Sequence, residues 1–208
     1  MIIDRSYFTG LIYLPDVNGL NPNSDLDGNS SLLDKDLEKY EREYLINNLG
    51  YLLYKEVLEH FNQTNQQDKI NELINGVEYQ LNGVDLVWRG LIDLNCSPIA
   101  NYVYVKHLND NAETYVGTDV VTVEQKNNTP IGYNRKIVRV WREMYEWTVG
   151  ECKGVTYHQR RGGLGIDWTT GNNTERSLYQ FISDMNTIDN RFSKWNPKEL
   201  LNTNIWGI

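Results

Sequence analysis

Residues 35–61, KDLEKYEREYLINNLGYLLYKEVLEHF, carry the reading of the fold. Leu37, Tyr40, Tyr44, Leu45 and Asn48 recur at three- and four-residue steps, while Glu38, Lys39, Glu41, Arg42 and Glu43 fill the other face. At 3.6 residues per turn, such positions share one side, so the segment reads as an amphipathic helix. Gly50 ends it or marks a tight contact. A second apolar stripe follows at Leu49, Leu52, Leu53, Val57, Leu58 and Phe61, closed by the polar run Asn62-Gln63-Thr64-Asn65.

Downstream, Ile70, Leu73 and Ile74 mark a short helix from about Asp68 to Asn75. Val77–Leu81, bounded by Gly76 and Gly83, reads as strand or loop. Val84–Leu91 alternates like a strand and is also compatible with a helix start. Ser97-Pro98 is a strong start signal, with serine as N-cap and proline at the first helical position. That helix runs through Tyr102, Val103, Lys106 and His107 towards Asn109. Thr114–Gly117 and Val120–Val123 read as a β-hairpin turning near Gly117-Thr118-Asp119. A long amphipathic helix then spans about Asn134 to Val149, carrying Ile137, Val140, Trp141, Met144 and Tyr145.

The two ends have another character. Residues 1–34 are rich in Asn, Asp, Gly and Ser and read as an arm, with Ser31 or Asp34 as cap of the helix that follows. Residues 154–175 are rich in Gly, Asn and Thr, and the rest is mostly irregular apart from Ser177–Ile182. The expected organisation is an N-terminal arm (1–34), a helical core (35–150) with a hairpin at about 112–133, and an extended C-terminal arm (151–208). The fold class is mainly α: a helical bundle with an inserted β-hairpin.

The 208 residues are 40% hydrophobic and 23% charged, enough apolar content for one domain that folds without staples. No apolar run approaches the ~20 residues of a membrane span. The N-terminus lacks the basic-then-apolar pattern of a signal peptide. The net charge of −8 argues against gripping duplex DNA by a basic face. It is compatible with DNA passing by without sticking. Cys96 and Cys152 are too few for a disulfide scaffold and read as free thiols. Fourteen Tyr and six Trp favour a protein that assembles, since large amphipathic rings suit protein–protein surfaces.

Chemistry-bearing motifs are weak. Asn23, Asp25 and Asp27, with Gly28 at the sixth position and Asp34 at the twelfth, resemble a calcium loop. The shorter Asp at the twelfth place and Ser30 at the usual apolar anchor favour a solvated Asx-rich loop instead. Arg161-Gly162-Gly163-Leu164-Gly165 lacks the Lys-Ser/Thr of a phosphate loop. His60, His107 and His158 are scattered, and Cys152 with His158 has no second pair to complete a zinc tetrahedron. No nucleophile elbow or metalloprotease helix is present, so no cofactor and no enzymatic activity are expected.

Three stretches in order are more specific. They are Tyr40–Glu56; Trp88-Arg89-Gly90-Leu91 followed by Ser97–Tyr104; and the closing Asn204-Ile205-Trp206-Gly207-Ile208. Together they resemble the head–tail connector (adaptor, or ring) proteins of tailed phages infecting Bacteroidetes, including crAss-like phages. The resemblance covers about residues 35–150 and the last few.

It implies a small helical bundle with a hairpin between helices, copies of which form a ring, usually a dodecamer, under the portal. The ring extends the DNA channel and docks the next tail or ring protein. The implied place is the head–tail junction of the virion, reached from the host cytoplasm during assembly, with no membrane partner. Residues 151–203 exceed a minimal connector. On this reading the C-terminal tail docks on a neighbour through Trp195, Leu200, Leu201, Asn204, Ile205, Trp206, Gly207 and Ile208. The hairpin Val116, Gly117, Thr118, Asp119 and Val120 faces the channel or the next ring. A tail-completion or stopper protein is the rival within this class. A calcium-dependent extracellular binding module using Asn23–Asp34 is the rival outside it.

Overall fold

The computed structural model describes residues 1–14, 27–62, 67–94, 97–110, 113–116, 119–122, 131–150 and 174–198. Helices dominate: α1 (Asp27–Leu49), α2 (Tyr51–Phe61), α3 (Asp68–Asn75), α4 (Pro98–Asp110), α5 (Ile131–Thr148) and α6 (Leu178–Asp189). Two antiparallel hairpins interrupt them, β1 (Val77–Leu81) with β2 (Val84–Trp88), and β3 (Glu113–Val116) with β4 (Asp119–Thr122). The mainly-α class with an inserted hairpin is what the periodicity led us to expect.

Helix α4 is the centre of the bundle. Every residue from Pro98 to Val105 is buried, so this stretch of the helix has no solvent face. A helix apolar all round must be covered all round; α1 packs on one side and α5 on another. Ser97 starts α4 as expected: its hydroxyl accepts from the Ala100 N–H at 3.2 Å and donates to the Leu91 carbonyl at 2.8 Å. Helix α1 contributes Leu33, Leu37, Tyr40, Tyr44, Leu45 and Leu49 to the core, the stripe read from the sequence extended one turn upstream.

Both proposed arms need correction. Helix α1 begins at Asp27, so Ser31 and Asp34 lie inside it rather than capping it. Asp34 instead pairs with the Arg5 guanidinium. The first residues lie on the bundle: Ile3, Phe8, Ile12 and Leu14 are buried, and two short 3-10 turns (Arg5–Tyr7 and Gly10–Ile12) bend the chain to place them. The buried Glu41 carboxylate holds this segment by accepting the N–H groups of Ile2 (2.8 Å) and Ile3 (3.0 Å). Those bonds oppose the burial that pushes the Glu41 pKa up, though burial prevails.

At the other end, α6 runs well past the expected 177–182. A capping box starts it, with Ser177 accepting from Gln180 N–H and the Gln180 side chain accepting from Ser177 N–H. Asn190, left-handed at φ 56°, stops it. Phe192 is then buried, and residues 195–198 run along the junction of α1 and α2.

The segment read as strand, loop or helix start is a hairpin. Asn82 (φ 54°) and Gly83 (φ 79°) both have positive φ, the two-residue turn that fits the twist of paired strands. Val77 pairs with Trp88 and Leu81 with Val84. Residues 174–176 add to the other side of β2: Val87 N–H donates to Thr174 O at 2.9 Å, and Arg176 N–H to Val87 O at 2.8 Å. Helix α2 brings a further correction. Leu53 and Val57 of its expected stripe are buried, whereas Leu52, Leu58 and Phe61 face solvent.

Candidate interaction surfaces

The C-terminal stitch converges on the end of α1. Asn48 is fully buried there and satisfied on every side. Its amide donates to the Tyr44 carbonyl at 2.8 Å, its side-chain oxygen accepts from Tyr179 OH at 3.1 Å, and its carbonyl accepts from the Trp195 indole N–H at 2.9 Å. The Trp195 ring meets Tyr179 edge-on at 5.2 Å. Trp195 is therefore held by its own chain rather than free to dock on a neighbour. Leu200, Leu201, Asn204, Ile205, Trp206, Gly207 and Ile208 lie outside the described residues.

Beside the stitch, Lys194 (2.6 Å) and Lys69 (2.7 Å) flank the Glu56 carboxylate. Burial raises the Glu56 pKa, but the hydrogen bonds from the two ammonium groups outweigh it and hold the carboxyl below the usual range. This pins the chain after α6 to α2 and α3.

A polar seam runs between α1 and α4. His107 Nδ1 meets Asp36 at 2.7 Å, Tyr102 OH donates to Glu43 at 2.6 Å, and Lys106 approaches Glu43 at 3.2 Å. Tyr40 OH bonds Asp110 and accepts from Lys39 Nζ at 2.7 Å. Each carboxylate is matched to a donor, so the seam fixes helix register and holds no nucleophile paired with a base. His60 accepts from Gln67 N–H at 3.2 Å, which closes the turn between α2 and α3.

The calcium-loop reading fails over Asp27–Asp34. From Asp27 onward the residues are helical, so the spacing to Asp34 cannot wrap an ion, and Asp34 is paired with Arg5. Asn23 and Asp25 lie outside the described residues. So do Cys96, Cys152, His158 and the 161–165 glycine run. Among the described residues, no group of three or more His, Cys, Asp or Glu could hold a metal ion, and no helix is long and apolar enough to cross a membrane.

The hairpin β3–β4 stands in the chain between α4 and α5, with Val116 paired to Asp119 and Tyr115 to Val120. Gly117 and Thr118, its turn, lie outside the described residues. No protein-family model, curated protein or solved structure matches the chain.

Two buried tyrosines, Tyr44 and Tyr102, and two half-buried ones, Tyr79 and Tyr179, set an alkaline limit on stability. Burial pushes the Tyr179 pKa up to about 12 and raises those of Tyr44, Tyr79 and Tyr102 further. In the unfolded chain they ionise near 10. Their contribution is complete below pH 10 and is lost as pH climbs through the folded values, because only the unfolded state then releases protons. The urea midpoint should stay level from pH 8 to about 9.5 and fall steeply above 10. A level profile to pH 11.5 would contradict the burial of these hydroxyls.

Proposed function

We propose that the protein is a structural virion component that forms a closed ring between portal and tail, extends the DNA channel and docks the next tail component. The observation that carries this reading is the hairpin β3–β4 inserted between the packed helices α4 and α5. That is the architecture implied by the resemblance over residues 35–150. Its residues have architectural work to do: Trp88, Leu91, Ile99, Ala100, Tyr102 and Val103 are all core.

Subunits meet head-to-tail, and the rotation between neighbours closes the ring. The net charge of −8 suits a channel that repels the phosphate backbone, so DNA slides rather than binds. The docking strand is the tail after Lys198, from Leu200 to Ile208. The assembled protein resides at the head–tail junction, with portal, ring neighbours and further tail proteins as partners.

Deleting residues 200–208 from the encoding genome tests the docking strand. The truncated subunit should melt close to the full chain, while tailed particles fall to a small fraction of the normal yield. A normal yield of infectious tailed virions would remove the claim.

A further inference from the structure

Helix α5 turns a face of one charge sign to solvent. Ile137, Val140 and Met144 are buried in the core. At about 100° per residue, Arg135, Arg139 and Arg142 lie on the opposite side, and all three are exposed. Arg139 bonds Glu143 on the flank at 3.0 Å. Arg135 and Arg142 make no ion pair among the described residues. The outward face of α1 is different: Lys35, Glu38, Lys39 and Arg42 are exposed there with their signs mixed, as on an ordinary solvated helix. Three arginines side by side on a chain of net charge −8 make a local field that attracts an anionic surface.

A matching acidic face lies on the first hairpin. Tyr79 and Trp88 turn inward onto Phe181. The alternate residues point the other way, and Glu78, Gln80 and Asp85 are exposed there. Val87 pairs with Glu78 on one side and bridges to Glu175 on the other, so these three share that face. Glu175 is taken by Arg89. Glu78 has no cation partner among the described residues, and Asp85 accepts from the neutral Gln80 amide at 2.6 Å. Asp85 lies diagonally across from Glu78 in the register, about 7–8 Å away. Arg135 and Arg142 are about 10 Å apart along α5, so two long guanidinium side chains match both carboxylates at once.

We propose that a second copy of this chain seats its Glu78 and Asp85 face on the Arg135, Arg139 and Arg142 face of α5. The inference rests on reading the protein as a ring component, and it adds which two faces meet. The faces differ, so the contact can run head-to-tail from copy to copy, as a closed ring requires. Each exposed pair contributes little to affinity. Together they supply orientation: acidic copies repel when like faces approach, and this pairing sets opposite signs together.

The test is a charge swap. Arg135→Glu, Arg139→Glu and Arg142→Glu in one chain reverse the first face; Glu78→Lys and Asp85→Lys in another reverse the second. All five sites are exposed, and circular dichroism checks that each variant folds. Sedimentation velocity follows self-association of the full-length chain at low salt. The unaltered chain should associate, and less so in about 1 M salt, where charges are screened beyond about 3 Å. Each variant alone should associate at least about tenfold more weakly, although the lysine variant is less acidic overall and relief of general repulsion would strengthen it. An equimolar mixture of the two should associate like the unaltered chain, because each reversed face then meets its opposite. An unaltered chain that stays monomeric, a variant that associates as it does, or a mixture that stays dissociated would each overturn the proposal. So would a loss confined to the arginine variant, the result expected if a polyanion rather than a second copy occupied α5. Association of the mixture that stops at pairs keeps the two faces and removes the closed ring; rings formed equally well by either variant alone keep the ring and remove the faces.

Discussion

Gly90→Ala is expected to destabilise the fold by about 4 kcal/mol, a large share of the whole stability of an ordinary domain. Gly90 sits at φ +92°, and a Cβ there would lie 2.4 Å from the Ile74 carbonyl oxygen and 2.6 Å from Gly76 N. These are backbone atoms and cannot swing aside. The Ile74 carbonyl is also fixed by accepting from Leu91 N–H at 2.8 Å. Gly76 (φ +89°) meets Arg89 and Trp88 in the same way from the other strand, so the two glycines let the base of the hairpin close on the end of α3. Backbone strain alone accounts for about 1–3 kcal/mol, and the overlap adds the rest. Gly83→Ala is the control. It has positive φ but nothing within 4 Å, so it should cost only about 1–2 kcal/mol. Urea midpoints measure both, and equal losses would contradict the close approach at Gly90.

Trp88→Ala is expected to cost about 3–5 kcal/mol, the range for emptying a large buried aromatic site. Trp88 is 1% exposed and stacks on Phe181 with centres 5.6 Å apart and planes 13° apart. Its indole N–H donates to the Leu73 carbonyl at 2.9 Å. Phe181 in turn meets Tyr79 and Phe192, each at 5.8 Å. One ring thus ties together the hairpin, α3, α6 and the start of the C-terminal stitch. Trp88→Phe keeps most of the apolar volume but leaves that buried carbonyl without its donor, so about 2 kcal/mol is expected. Chemical denaturation followed by circular dichroism separates the two. Equal costs would mean that the ring volume is not what holds these elements together.

These two residues also mark where sequence reading stopped. Helical periods found α1, α3 and α5 because a stripe at three- and four-residue steps has one meaning, while the Ser97-Pro98 start signal found α4. They misjudged α2, where apolar residues occupy two faces and the period does not say which one faces inward. The hairpin Val77–Trp88 carried a local signal in Asn82-Gly83, the favoured pair for a turn with positive φ at both positions. The length of α6 was likewise signalled by Ser177 with Gln180 three residues on.

Other features have no local signal. Nothing near Ile2 and Ile3 announces that Glu41 will receive their N–H groups, and nothing near Asn48 announces that Trp195 will bond its carbonyl. Long-range pairings of this kind tie residues 1–14 and 174–198, parts of the two expected arms, to the bundle. They also hold Trp195, expected to dock on a neighbour, against its own chain. The hairpin at 113–122 was legible because alternation and turn residues are local.

The most direct test of the central claim is electron microscopy of the purified protein mixed with the portal of the same virion. The account predicts closed rings of this subunit stacked coaxially on the portal, with the central channel continuous through both. Portals that stay bare at micromolar subunit, or subunits bound singly at scattered positions, would contradict it.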